Sequence, residues 1–111
     1  CDYGGLSMRK LNATEAAMEL GVLPHWTLGT NGETITREFV LADFMQAFAF
    51  MTQIAIAAEK YNHHPEWSNV YNRVTITWTT HDVDGLSSND IDMAQRCDQA
   101  FAGYPSAPTA A

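Results

Sequence analysis

The chain is short of cationic side chains. Six Lys and Arg stand against 13 Asp and Glu over 111 residues, a formal net charge of −7. A nucleic-acid binder needs clustered Lys and Arg to displace counterions from phosphates, so nucleic acid is not an expected partner. The same argument counts against an anionic membrane surface and a phosphate-rich substrate; a neutral or weakly charged small molecule remains. Charges of both signs are scarce, 17% of residues, against roughly 25% in soluble domains. With 46% apolar residues, so few charges suggest that a second subunit covers part of the surface. Cysteine is almost absent. Cys1 and Cys97 cannot build a disulfide framework and fit a reducing compartment, the cytoplasm first and the nucleus second. No long hydrophobic run occurs either. The most apolar stretch, Phe44–Ala58, contains Gln46, Thr52 and Gln53, and it falls short of the roughly 20 residues a membrane span requires. Cys1–Lys10 has no apolar centre of the signal-peptide kind. No glycine-rich loop opens a helix to hold phosphates, and no Ser or Cys has the surroundings of an activated nucleophile.

What is present reads as one domain over residues 8–104, with a disordered lead-in at 1–7 and a disordered tail at 105–111. Asn12–Leu20 is a short helix, capped by Asn12 or Thr14 and stopped at Gly21. Trp26–Thr30 and Glu33–Val40 flank Asn31-Gly32, the signal of a two-residue type I′ hairpin. Leu41 to Asn62 lacks Gly and Pro and forms a long helix that ends before Pro65. Its apolar residues reach around most of the cylinder, more than one sheet can cover, which points to packing against a second subunit through helix 41–62 rather than to a deeply buried central helix. Trp67–Tyr71 and Arg73–His81 make a second strand pair around Asn72. In the latter, Val74, Ile76 and Trp78 share one face, while the threonines and His81 share the other. Ser87 caps a final helix with Asp90 in its first turn, and Gly103 ends it. The order α-β-β-α-β-β-α implies an α+β fold, a four-stranded antiparallel sheet with three helices packed on one face.

Three histidines stand at element ends. His63 and His64 close the long helix, Pro65 enforces the exit, and His81 ends a strand. Such ends commonly frame a pocket. Glu59 lies four residues before His63 and is placed to steady that ring, and Asp90 could do the same for His81. Imidazoles backed by carboxylates suit proton transfer, hence a dehydration or isomerisation that needs no metal or cofactor. Zinc is the competing use of three histidines. Adjacent His63 and His64 point in different directions from a helix end, however, unlike the i, i+4 spacing that brings two ligands together. A helix-terminus pair with no chemistry is the plainest alternative. His25 reads as a surface residue, Trp26 and Trp78 as core or cleft wall.

The spacing Glu59-x-x-x-His63-His64-Pro65, then five residues to Tyr71, nine to His81 and eight to Asp90, resembles the signature of the pterin-4a-carbinolamine dehydratases. The flanking text AEKYNHHPEWSNVYNRVTITWTTHDVDGLSSNDIDMA is similar to that family throughout, and the resemblance extends back to about Trp26. It implies a homodimer or homotetramer, and loss of water from 4a-hydroxytetrahydrobiopterin to give quinonoid dihydropterin, recycling tetrahydrobiopterin. It also implies His63, His64 and His81 as catalytic residues, with Glu59, Pro65, Asp90 and Trp26 binding or orienting the pterin. On this reading His63 and His81 trade acid and base roles while His64 orients the pterin or a bound water. Asn62 and Asn89 depart from animal members, which often carry an acidic residue and an arginine there. Some relatives also serve as dimerisation cofactors of a homeodomain transcription factor, which gives a non-catalytic alternative.

Overall fold

The computed structural model describes residues 10–105. The lead-in expected at 1–7, and all but the first residue of the expected tail, lie outside the described residues. The elements are α1 (Ala13–Leu20), β1 (Thr27–Leu28), β2 (Ile35–Val40), α2 (Phe44–Tyr61), β3 (Glu66–Val70), β4 (Arg73–Trp78), a 3-10 turn at His81–Val83, and α3 (Ser88–Ala102). Strands run in the order β1-β2-β4-β3, every neighbouring pair antiparallel. The expected α+β order is therefore the observed one.

Side chains alternate across a strand. Ile35 and Phe39 of β2 and Val74, Ile76 and Trp78 of β4 consequently fall on one face, and all five are fully buried. Phe50 and Ile54 of α2 and Ile91, Ala94 and Cys97 of α3 complete this core. The opposite face carries threonines: Thr36 pairs with Thr77 in register, and their hydroxyls lie 2.8 Å apart. The buried stripe of α2 is Ala47, Phe50, Ile54 and Ala58, the spacing of a single helix face. Its other side leaves Phe44, Met45, Phe48 and Ile56 about half to three-quarters exposed. The sheet thus covers one side of this helix and leaves apolar residues on the other, as the breadth of its apolar surface requires.

Helix starts follow the expected chemistry. Asn12 with Glu15, and Ser87 with Asp90, form reciprocal capping boxes. The long helix begins later than expected, because Asp43 acts as its N-cap and Leu41 is turned into the core. The first hairpin is not a type I′ turn. Pairing stops at Leu28 and Ile35, and of the two central residues only Gly32 has a positive φ, 75°. Asn31 instead accepts the Glu33 N–H through its side-chain oxygen at 3.0 Å, a local bond that widens the loop. The second hairpin closes tightly at Val70 and Arg73, and Tyr71 rather than Asn72 takes the left-handed conformation. β4 stops at Trp78; Thr80 and Gly85 then form an isolated bridge that encloses His81 in a short turn.

Candidate active site

The end of α2 is set by Asn62, at φ 53° and ψ 43°. Few residues besides Gly and Asn tolerate this left-handed geometry. It stops the helix while the His63 N–H still bonds the Ala58 carbonyl at 3.0 Å. His63 is thereby turned inward. Its ring stacks on Trp78 of β4, with centroids 5.4 Å apart and planes within 15°. Only 1% of its surface is exposed.

A buried imidazole needs a hydrogen-bond partner. Its Nε2 lies 2.5 Å from Oδ1 of Asp90, which is itself fully buried in the first turn of α3. The second carboxylate oxygen of Asp90 accepts the Ser87 N–H at 2.9 Å and the Thr80 hydroxyl at 2.7 Å. Carboxylate charge sealed from water is tolerable only with such donors around it. The site is thus assembled from four pieces of chain: the exit of α2, β4, the bridge residue Thr80 and the N-terminus of α3.

His64 is about one-third exposed, and its Nε2 is 3.0 Å from Glu59 Oε1. His81 is nearly two-thirds exposed, with Nε2 3.1 Å from Glu66 Oε2. Each of the three imidazoles therefore meets a carboxylate, but neither expected pairing, Glu59 with His63 or Asp90 with His81, is the one formed. Glu59 holds His64, Asp90 holds His63 and Glu66 holds His81. The i, i+4 argument for Glu59 and His63 applies only while the helix continues, and the left-handed turn at Asn62 breaks it. Glu66 went unrecognised because it is distant in sequence from His81; its place immediately after Pro65, at the start of β3, was the available signal. Thr80 and Ser87 were likewise missed as partners of Asp90.

The structure ties the three histidines to one corner of the molecule. His63 and His64 are adjacent, His81 bonds a residue two beyond His64, and its neighbour Thr80 bonds the carboxylate that holds His63. A cavity of about 180 Å³ opens between the end of α2 and the start of α3, lined by Tyr61, His63, Asn89, Asp92, Met93 and Arg96. His64 and His81 are not on its wall. Pro65, half-buried, carries the chain from His64 into β3. Trp26 is tied to the later part of α3. Its indole N–H donates to both oxygens of Asp98 at 2.9 and 3.1 Å, and its ring meets Phe39 edge-on. Asp98 sits eight residues beyond Asp90 on α3, a rise of roughly 12 Å at 1.5 Å per residue. Among the described residues, no three His, Cys, Asp or Glu side chains converge as metal ligands. Nor is any described helix long and apolar enough to cross a membrane.

Residues 9–100 match the family model described as pterin 4 alpha carbinolamine dehydratase. The chain belongs to the pterin-4a-carbinolamine dehydratase family. A relative from Burkholderia vietnamiensis, named provisionally as a pterin-4-alpha-carbinolamine dehydratase, is 50% identical over 95 residues, 86% of this chain and 93% of that protein. Another so named, from Novosphingobium aromaticivorans, is 51% identical over 90 residues, 81% of this chain and 94% of that one. A crystal structure from Brucella melitensis, described as a transcriptional coactivator/pterin dehydratase, superposes with a TM-score of 0.81 at 42% identity, covering 83% of this chain and 98% of that one. Within this family chain, Asn62 acts as the helix stop, and Asn89 lines the cavity beside His63. Neither substitution removes an imidazole.

Proposed function

We propose that this chain is a cytoplasmic hydro-lyase that converts 4a-hydroxytetrahydrobiopterin to quinonoid dihydropterin and water. The C4a–O bond breaks as an imidazolium gives its proton to the departing hydroxyl, which leaves as water. The N5 proton passes to a second imidazole, and the N5=C4a double bond forms. His63 and His81 exchange these acid and base roles, and His64 orients the pterin.

The observation that carries this reading is the buried His63–Asp90 pair at the corner where His64 and His81 also stand. A carboxylate on Nε2 favours the tautomer with hydrogen on that nitrogen, makes Nδ1 the basic atom and supports the imidazolium once formed. Pairing of His81 with Glu66 supplies the same support at an accessible ring. These exposed pairs add little stability and serve to orient. A neutral pterin also suits an acidic chain.

The test generates the carbinolamine in situ and follows its absorbance decay. Wild-type protein is expected to accelerate the decay. His63→Ala and His81→Ala should each lower kcat/KM by ~10²–10⁴, the usual contribution of general acid–base catalysis. Decay no faster than in buffer would refute the proposal.

A second reading has its own support. The apolar face of α2, Phe44, Met45, Phe48 and Ile56, is exposed, and the Brucella neighbour is described as a transcriptional coactivator. We propose that this face joins two or four copies of the chain. Binding of a transcription factor's helix there is the non-catalytic alternative, identified by partner binding without activity on the carbinolamine.

A further inference from the structure

The hydroxyls around Asp90 have an order that the geometry dictates. An ionised carboxylate only accepts hydrogen bonds, so the hydrogen of Thr80 Oγ1 points at Asp90 Oδ2, 2.7 Å away. Thr80 Oγ1 also lies 2.7 Å from Ser87 Oγ. Its one hydrogen is already committed, so the Ser87 hydroxyl must be the donor between them. Ser87 Oγ in turn accepts the Asn89 N–H at 3.3 Å. The result is a directed chain: Asn89 N–H to Ser87, Ser87 O–H to Thr80, Thr80 O–H to Asp90, with Asp90 receiving His63 on its other oxygen. Thr80, Ser87, Asp90 and His63 are all essentially inaccessible to solvent, so water cannot replace a missing link.

Thr80 has a second attachment. Its N–H donates to the Gly85 carbonyl at 2.8 Å, and the Gly85 N–H returns to the Thr80 carbonyl at 3.3 Å. That bridge closes the turn carrying His81. One residue thus touches both halves of the site, His63 through Asp90 and His81 through the adjoining peptide.

We propose that Thr80 is the positioning residue of this site, its hydroxyl fixing the His63–Asp90 pair while its backbone sets His81 against that pair. The proposal rests on the dehydratase reading and extends it to a residue that never touches the pterin. Valine in place of Thr80 keeps the shape but removes a donor from Asp90 and the acceptor of the Ser87 hydroxyl. Serine keeps both.

The experiment compares Thr80→Val and Thr80→Ser in the full chain, by steady-state kinetics on the carbinolamine and by the proton resonance of the His63 Nε2–H. Thr80→Val should lower kcat by about tenfold, the scale of one charge-assisted hydrogen bond, with KM within about twofold. Its His63 resonance should broaden or vanish. Thr80→Ser should restore both. A Thr80→Val protein with wild-type kcat and an unchanged resonance would overturn the proposal, as would a Thr80→Ser protein no better than the valine variant. Should wild-type protein fail to dehydrate the carbinolamine, the dehydratase reading falls. The resonance still decides the relay: survival in Thr80→Val overturns it, and selective loss there upholds it. If Thr80→Val does not fold, Ser87→Ala removes the preceding hydroxyl and leaves the Ser87 N–H in place. It should shift the His63 resonance and lower kcat to a smaller degree, and no change in either would again overturn the relay.

Discussion

A ring as enclosed as His63 has no solvent to orient it, so its direction is set by what it touches. Trp78 fixes its plane, and Asp90 fixes one nitrogen. The cap of the last helix was legible in the sequence, because Ser87 followed by Asp90 has the spacing of a capping box. Less legible was that the capping carboxylate would also take His63, since that contact depends on how two helices meet. Cys97 on α3 is free and buried. Burial is the largest influence on it and, against a weaker opposing contact from Trp78, pushes the thiol from the usual 9.0 up to about 12. Between those values the unfolded chain has released the thiol proton and the folded chain still holds it. Stability is therefore complete below about 9 and falls as pH rises toward about 12. Urea unfolding at pH 8 and pH 10.5 should show Cys97→Ala losing less stability over that interval than wild type. An equal loss in both proteins would contradict the burial argument.

At the scale of elements, the long helix was read correctly in kind and less well in extent. Its buried stripe and exposed apolar side follow from residue spacing, whereas its N-terminus is decided by Asp43 acting as a cap. The first hairpin shows the limit of dipeptide signals. Asn31-Gly32 marked the turn, yet the Asn31 side chain bonded the backbone locally and the strands paired farther out. Phe44 and Phe48 touch each other on the exposed side, ring centroids 6.0 Å apart, and contribute little to the protein's own core. A large exposed apolar patch is the usual mark of an interaction surface. Phe48→Glu should accordingly leave the circular dichroism spectrum unchanged while reducing the sedimentation coefficient to that of a monomer. Wild-type protein that sediments as a monomer at micromolar concentration would refute the shared-helix assembly.

Across the whole molecule, residues distant in the chain converge because the sheet order β1-β2-β4-β3 puts β4 in the interior, under both long helices. Trp78 and Thr80 are thus carried beneath the end of α2 and the start of α3. Residue types and spacing named the three histidines and Asp90, and the family resemblance gave them a reaction. Carboxylate pairings depended on the left-handed exit at Asn62 and on the Thr80–Gly85 bridge, neither of which leaves a periodic trace in sequence. The central claim is that His63, His64 and His81 serve one ligand. Titrating a dihydropterin into the protein while recording the imidazole nitrogen–proton spectrum tests it most directly. The account predicts that the resonances of His63, His64 and His81 shift together along a single binding curve while His25 stays unmoved. Shifts confined to one of the three, or three rings responding with different affinities, would contradict it.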